Sequence, residues 1–399
     1  MLLSISQGMG RIEGCLRGSD CLSTMTCLRQ LGVKIEDTGK EIVVYGRGLR
    51  SLQKPSHVLD AGNSGTTMRL ICGILAGQDF TCTVSGDASL QGRPMDRIAH
   101  PLREMGAVLY GKDGTDRPPL TIEGRHLKAI DYTLPVPSAQ VKSSILLAGL
   151  YAEGETTVRE IIPARDHTER MLASLGARIK VEDGKIKLVT SALKARDIKV
   201  PGDISSAAFL IAAAAAMPGS HLVIENVGLN PTRTGIIDVL KRMGASIETD
   251  NLGKWAEEDV GDLVVRGRRL HGITITRELV PRVLDEIPVL AVIAAMAEGS
   301  TTITGAEELR VKESDRISAV VTELTKLGIG MRELPDGMVI AGTNRIDGGV
   351  FLESYGDHRI AMALAIAGLF AQNPVNIRDS VCINISFPGF EQTLQKIVK

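Results

Sequence analysis

The sequence predicts a two-domain α/β protein, and three observations carry that prediction. The chain has 399 residues, too many for one ordinary hydrophobic core. A helix-ending signature recurs along it at intervals of about seventy residues. A short β-branched run ending in a turn follows each recurrence, so helices and strands alternate throughout.

The helix endings read LRQLGVKIE, LREMGAVLY, LASLGARIK, LKRMGASIE and LTKLGIGMR, with glycines at Gly32, Gly106, Gly176, Gly244 and Gly328. A glycine after an amphipathic helix supplies the left-handed stop from which the chain turns into a strand. The strands that follow are IVVYGRGL, LTIEGRHL, IKLVTSAL, LVVRGRRL and MVIAGTNRI. A second strand type, in AEGETTV, MPGSHLVI, AEGSTTIT and AQNPVNIR, follows Ala/Leu-rich helices. The unit is therefore helix, strand, helix, strand, strand, with its helices backing a sheet.

Composition removes several function classes. Lys and Arg total 46 against 47 Asp and Glu, which leaves no one-sign field for nucleic acid or an anionic membrane. Aromatics make up 3%, too few for base-stacking platforms. The six cysteines (Cys15, Cys21, Cys27, Cys72, Cys82, Cys382) form no CxxC pair and have no nearby His at metal spacing, so no metal site is expected. They suit small buried hydrophobes in a reducing cytosol. Apolar runs such as FLIAAAAAM and VLAVIAAMA are well short of the ~20 residues that span a bilayer. The expectation is a cytoplasmic protein with no membrane or nucleic-acid partner, and nothing demands more than a monomer.

A polar cluster precedes each Ala/Leu-rich helix: DAGNSGTT (60–67), PVPSAQVKSS (135–144), PGDISSAAF (201–209), VLDEIPVL (283–290) and YGDHRIAM (355–362). Helix N-termini present unpaired amides and the positive end of the dipole, so they favour anions. Capping accounts for a Ser, Asp or Asn at such a place. It does not account for Gln140, Lys142, His358 and Arg359. Helix starts converging from several repeats would make an anion-attracting cleft.

The two chain ends break the pattern. MLLSISQG reads as the last two turns of a helix with a turn residue behind it, and its polar cluster would fall upstream of Met1. The sixth unit stops after FEQTLQKIVK without its closing strands. One further N-terminal segment would supply both.

The motifs LDAGNSGTTMRL, GDASLQGRPMDR, PSAQVKSS, ARDHTER, PGDISSAAF, LDEIPVLAV, LRVKESDRI and GDHRIAM resemble, in this order, those of the 5-enolpyruvylshikimate-3-phosphate synthase family. The likeness covers essentially the whole chain, and SAQ with RDHTER is similar to the bacterial class II branch. It implies a two-domain inside-out α/β barrel of the enolpyruvyl transferase type, with six βαβαββ repeats, three per domain. The domains would be 1–199 and 200–399, hinged at PGD (201–203). In the family a short N-terminal strand belongs to the second domain; without it, one crossover and an unpaired sheet edge are expected.

The implied reaction moves the enolpyruvyl group of phosphoenolpyruvate to the 5-hydroxyl of shikimate 3-phosphate and releases phosphate, a step towards chorismate and the aromatic amino acids. These two small molecules are the expected partners. No metal or organic cofactor is implied, and closure of the two halves would exclude water. Arginine forks match phosphate and carboxylate. By the resemblance, Arg93, Arg316 and Arg359 clamp phosphoenolpyruvate, with Asn63, Ser64, Gly65 and Gln140 beside it. Ser138, Ala139, Gln140 and Arg165 hold shikimate 3-phosphate, joined by Asp285 and Lys312. Asp285, Lys312, Glu313 and His358 form the catalytic set: Asp285 accepts the hydroxyl proton, Glu313 delivers one to carbon, and Lys312 lies between them. The spacing of Lys312 and Arg316 predicts one shared helix face.

The family's N-terminal Gly-Asp-Lys-Ser-x-x-x-x-Arg segment, whose Lys, Ser and Arg contact both substrates, has no match here. Each lost charged hydrogen bond costs on the order of 1.5–3 kcal/mol. Two readings follow: an enzyme, or a non-catalytic relative that keeps the fold and binds shikimate 3-phosphate. A UDP-N-acetylglucosamine enolpyruvyl transferase fits less well, because SLQGRPM lacks the reactive Cys of that family's loop. Gly65 leaves room for glyphosate, which implies sensitivity to it.

Overall fold

The computed structural model describes residues 1–398. The chain divides into two compact units, Met1–Val200 with Trp255–Glu258, and Pro201–Lys254 with Asp259–Lys399.

In the first unit, three four-stranded sheets share one plan. Leu59–Asp60 lies parallel to Thr81–Ser85, with the helix Gly65–Ala76 as the crossover. The helix Asp96–Glu104 then leads into a hairpin, Val108–Tyr110 and Leu120–Glu123, which adds antiparallel to Thr81–Ser85. The next repeat does the same with Asp131–Thr133, the helix Ala139–Gly149, Glu155–Arg159, the helix His167–Ser174 and the hairpin Arg178–Glu182/Lys185–Val189. Alternation of buried and exposed residues in Lys185–Val189 puts Ile186 and Leu188 into the core. The first sheet is built from Gln7–Glu13, the helix Ser19–Gln30, Lys34–Asp37 and Glu41–Arg47. It takes its parallel strand from the far end of the unit, where Ile198 pairs with Ile12 and Lys199 with Glu13.

The second unit repeats the plan with Thr274–Ile275, Ser300–Ile303, Met331–Leu334 and Gly337–Ala341. Its first sheet holds His221–Gly228, Ser246–Trp255 and Glu258–Arg266, with a single parallel bridge from Gly202 to Val227. Its last sheet pairs Phe351–Glu353 with Asn376–Arg378 alone, and among the described residues that sheet has no closing hairpin.

The crossover helices form the core of each unit. Ile287–Ala295 is buried on every side, and Ile204–Ala216 nearly so, as expected of helices without a polar stripe. Gly65–Ala76 and Ala139–Gly149 pack so closely that a Cβ at Gly73 would run into the carbonyl of Ser144. The five helix-stop glycines all adopt positive φ, from 82° at Gly328 to 102° at Gly244, as the signature demands.

Two local expectations fail. MLLSISQG is one 3-10 turn, Leu2–Ile5, and Gln7 already opens a strand. The hydroxyls of Ser4 and Ser6 bond back to the carbonyls of Met1 and Leu2, closing the turn after a few residues. Lys312 and Arg316 share no helix face. A 3-10 turn ends at Val311, Lys312 is extended, and the helix Arg316–Lys326 starts only after Asp315, whose carboxylate caps the amide of Ser318 at 3.1 Å.

Candidate active site

Each unit gathers its own cluster of the expected residues at the starts of its buried helices. In the first unit, Ser64 caps the helix Gly65–Ala76 by accepting from the amide of Thr67 at 3.2 Å. Arg93 reaches this end and donates to the Asn63 side-chain oxygen at 2.8 Å and to Ser89 Oγ at 3.2 Å. Asn63 in turn donates to Asp87 at 2.7 Å. One helical turn in, Arg69 donates to Gln140 Oε1 at 2.7 Å, and Gln140 donates to Thr66 Oγ1 at 2.8 Å. The fold thus joins Asn63, Gly65, Arg93 and Gln140 into one patch.

Gly65 lies between the two guanidiniums. A Cβ there would stand 2.8 Å from Arg69 Nη1 and 3.4 Å from Arg93 Nη1. Burial, with Arg93 and Arg97 nearby, pulls the Arg69 guanidinium below its ordinary value. The patch is therefore positive and rich in amides. Arg69 was missed in the sequence. The available signal was an arginine four residues after Gly65, inside an otherwise apolar helix.

The neighbouring helix Ala139–Gly149 starts at Ser138, whose hydroxyl accepts from the amide of Val141 at 3.4 Å. Ser138, Ala139 and Gln140 thus stand in succession at that helix start. Arg165 sits on the loop between the strand Glu155–Arg159 and the helix His167–Ser174. Lys142, expected to face the anion cleft, is instead fully buried and paired with two glutamates.

In the second unit the centre is Arg316, 2% exposed. Its Nε donates to Asp357 at 2.8 Å and its Nη2 to Glu313 at 2.7 Å, while Nη1 meets Asp285 at 3.4 Å. Two of the proton-carrier candidates, Asp285 and Glu313, are therefore bound to one guanidinium. Asp357 caps the helix His358–Phe370 and accepts from the amide of Arg359 at 2.9 Å. Burial alone would raise the Asp357 carboxyl, but Arg316 and the Arg359 amide outweigh it and hold the group below its usual value. Burial and the nearby Arg359 lower His358, favouring a neutral imidazole. Arg359 lies against the carbonyl of Asp285 at 3.4 Å and the carboxylate of Glu286 at 3.9 Å. Lys312 is half-buried in the extended stretch next to Glu313. Asp357 and Glu286 were not singled out in the sequence, where Asp357 looked like an ordinary cap.

Repeated sheets around buried helices whose starts carry arginines define an enolpyruvyl transferase fold. The chain belongs to the EPSP synthase (3-phosphoshikimate 1-carboxyvinyltransferase) family, whose sequence profile matches residues 1–394. It is 61% identical to the 3-phosphoshikimate 1-carboxyvinyltransferase of Alkaliphilus metalliredigens over all of this chain and 94% of that protein. The relative of the same name from Citrifermentans bemidjiense is 50% identical over all of this chain and 93% of its own length. A solved structure of EPSP synthase from Acinetobacter baumannii superposes with a TM-score of 0.90 at 45% identity, covering 99% of this chain and 91% of that one.

Proposed function

We propose that the chain catalyses transfer of the enolpyruvyl group of phosphoenolpyruvate to the 5-hydroxyl of shikimate 3-phosphate, with release of phosphate. The observation that carries this reading is that the family match, over residues 1–394, spans both clusters, from Asn63 to Arg359.

The roles follow from the chemistry of each group. Arg93, with the amides at Asn63 and Gly65, suits the negative charge of phosphoenolpyruvate, as do Arg316, Arg359 and the amide of Gln140. Ser138, Ala139, Gln140 and Arg165 suit the phosphate and hydroxyls of shikimate 3-phosphate, with Asp285 and Lys312 at its reacting hydroxyl. Asp285 takes the proton of the 5-hydroxyl as its oxygen bonds to the central carbon of the enolpyruvate. Glu313 supplies a proton to the methylene carbon, which becomes a methyl group. The intermediate then collapses: the carbon–oxygen bond to phosphate breaks, the methyl group returns a proton, and the double bond re-forms. His358, held neutral, stands ready to accept or relay a proton. Lys312 steadies the ionised Asp285 before it takes the proton.

On this reading the domains are residues 1–199 and 200–399, supported by the division of the chain between Val200 and Pro201. The six cysteines, all free of disulfides, suit a protein of the cytoplasm, and no helix among the described residues is long and apolar enough to cross a membrane. Gly65, whose missing side chain leaves the two guanidiniums uncrowded, supports sensitivity to the anionic inhibitor glyphosate. The test is phosphate release from phosphoenolpyruvate with shikimate 3-phosphate as acceptor, beside a parallel reaction offering UDP-N-acetylglucosamine. Turnover with the first acceptor alone is expected; turnover with the second alone would overturn the reading.

A further inference from the structure

Of Gln140, Lys142, His358 and Arg359, the four that capping does not explain, Lys142 alone has no part in the proposed chemistry. It has no exposed surface, and its ammonium spends all three protons inside the first unit. Nζ meets Glu160 Oε1 at 2.9 Å, Glu169 Oε1 at 2.6 Å and the carbonyl of Ala164 at 3.3 Å. Glu160 Oε1 also accepts from the amide of Ala164 at 2.9 Å. Both polar atoms of the Ala164 backbone are therefore held by this cluster, immediately before Arg165.

The three carriers come from three elements. Lys142 belongs to the helix Ala139–Gly149, Glu160 follows the strand Glu155–Arg159, and Glu169 belongs to the helix His167–Ser174. Arg165 lies on the loop that this cluster bridges. Ser143 and Thr168, hydroxyl to hydroxyl at 2.6 Å, tie the same two helices a second time. Glu169 Oε2 is buried without a hydrogen-bond partner. Burying three charged groups is expensive, and apolar residues of similar volume serve stability as well or better. An arrangement that fixes the backbone on either side of one arginine has a different use.

We propose that Lys142, with Glu160 and Glu169, is a positioning clamp that holds the loop of Arg165 in register with the helix start of Ser138, Ala139 and Gln140, and so sets affinity for the phosphorylated acceptor. The clamp touches no reacting atom. This rests on the assignment of Arg165 to shikimate 3-phosphate made above. Without the clamp the loop must be ordered when the acceptor binds, and that cost falls on acceptor affinity rather than on the chemical step.

The test uses the whole chain with the double variant Lys142→Met/Glu169→Gln, which removes the lysine without stranding both carboxylates. Glu160→Ala, which cuts the tether at the Ala164 amide but leaves Lys142 paired with Glu169 and with the Ala164 carbonyl, is the second variant. Each is read by titration calorimetry with shikimate 3-phosphate, by KM and kcat, and by amide exchange of residues 161–166. Acceptor affinity should weaken about tenfold, the scale of one lost charge-assisted hydrogen bond. KM for phosphoenolpyruvate and kcat at saturating acceptor should stay near wild type, and the 161–166 amides should exchange faster. Folded variants with unchanged acceptor affinity and unchanged exchange would overturn the clamp. A wild-type chain that binds no shikimate 3-phosphate would instead sink the functional reading. The amide exchange would then decide the clamp by itself.

Discussion

The two clusters handle positive charge in opposite ways. In the first unit, Arg69 and Arg93 bond neutral oxygens of Gln140, Pro94, Asn63 and Ser89, and their charges repel across Gly65. In the second, Arg316 is ringed by the carboxylates of Asp357, Glu313 and Asp285. Guanidiniums whose hydrogen bonds go to neutral partners keep more of their field for an anion, although Asp96 acts on Arg69 and Asp87 lies behind Asn63. A guanidinium shared among three carboxylates has its charge answered locally and holds Asp285, Glu313 and Asp357 in place. On the proposed roles, the first cluster captures charge alone, while the second joins charge capture by Arg316 and Arg359 to proton handling by Asp285 and Glu313.

The largest way to break that contrast is Arg316→Met. It strands three carboxylates around a buried site, and loss of one partner of a buried ion pair costs about 3–5 kcal/mol. Urea unfolding should show a loss on that scale, with activity abolished; a variant as stable as wild type would mean that Arg316 does not hold the carboxylates in place.

Arg69→Gln acts on the other side of the contrast. Because this guanidinium is held by neutral groups, folding stability should change little, while affinity for phosphoenolpyruvate should fall by about 1.5–3 kcal/mol. The KM for phosphoenolpyruvate and the melting temperature, measured together, separate these outcomes.

Gly65→Ala sharpens the same point. The new methyl group stands 2.8 Å from Arg69 Nη1, so the arginine must shift. Because that atom is the far end of a flexible side chain, the shift costs little stability and falls mainly on the anion patch. Inhibition by glyphosate should weaken more than the KM for phosphoenolpyruvate rises, which competition assays would show.

The smallest expected effect concerns pH. Asp357 has a folded value below its unfolded value of about 3.9. The stability it contributes is therefore complete above about pH 3.9 and is lost as pH falls through the lower folded value. Urea midpoints of the wild type should drop on acidification through this range. Asp357→Asn, already lacking that contribution, should show a shallower drop.

The repeats were legible because backbone geometry forces them. A helix that must turn into a strand needs a left-handed residue, and Gly32, Gly106, Gly176, Gly244 and Gly328 all supply it. The central strands beginning at Glu41, Leu120, Lys185, Glu258 and Gly337 followed from β-branched runs. What stayed hidden depends on contacts far apart in sequence. Arg69 meets Gln140 across 71 positions, and Arg316 meets Asp357 across 41. Lys142 looked like a cleft cation because its position in the helix start was visible, while the glutamates that turn it inward lie on other elements. The Lys312–Arg316 spacing misled for a local reason: the Asp315 cap starts the helix later than periodicity alone suggests.

The most direct test of the account is phosphate release by this chain from phosphoenolpyruvate and shikimate 3-phosphate, with wild type beside Arg93→Gln and Asp285→Asn. Turnover by wild type is expected, with a raised KM for phosphoenolpyruvate in the first variant and a collapsed kcat in the second. Wild-type turnover left intact by both substitutions would contradict the account.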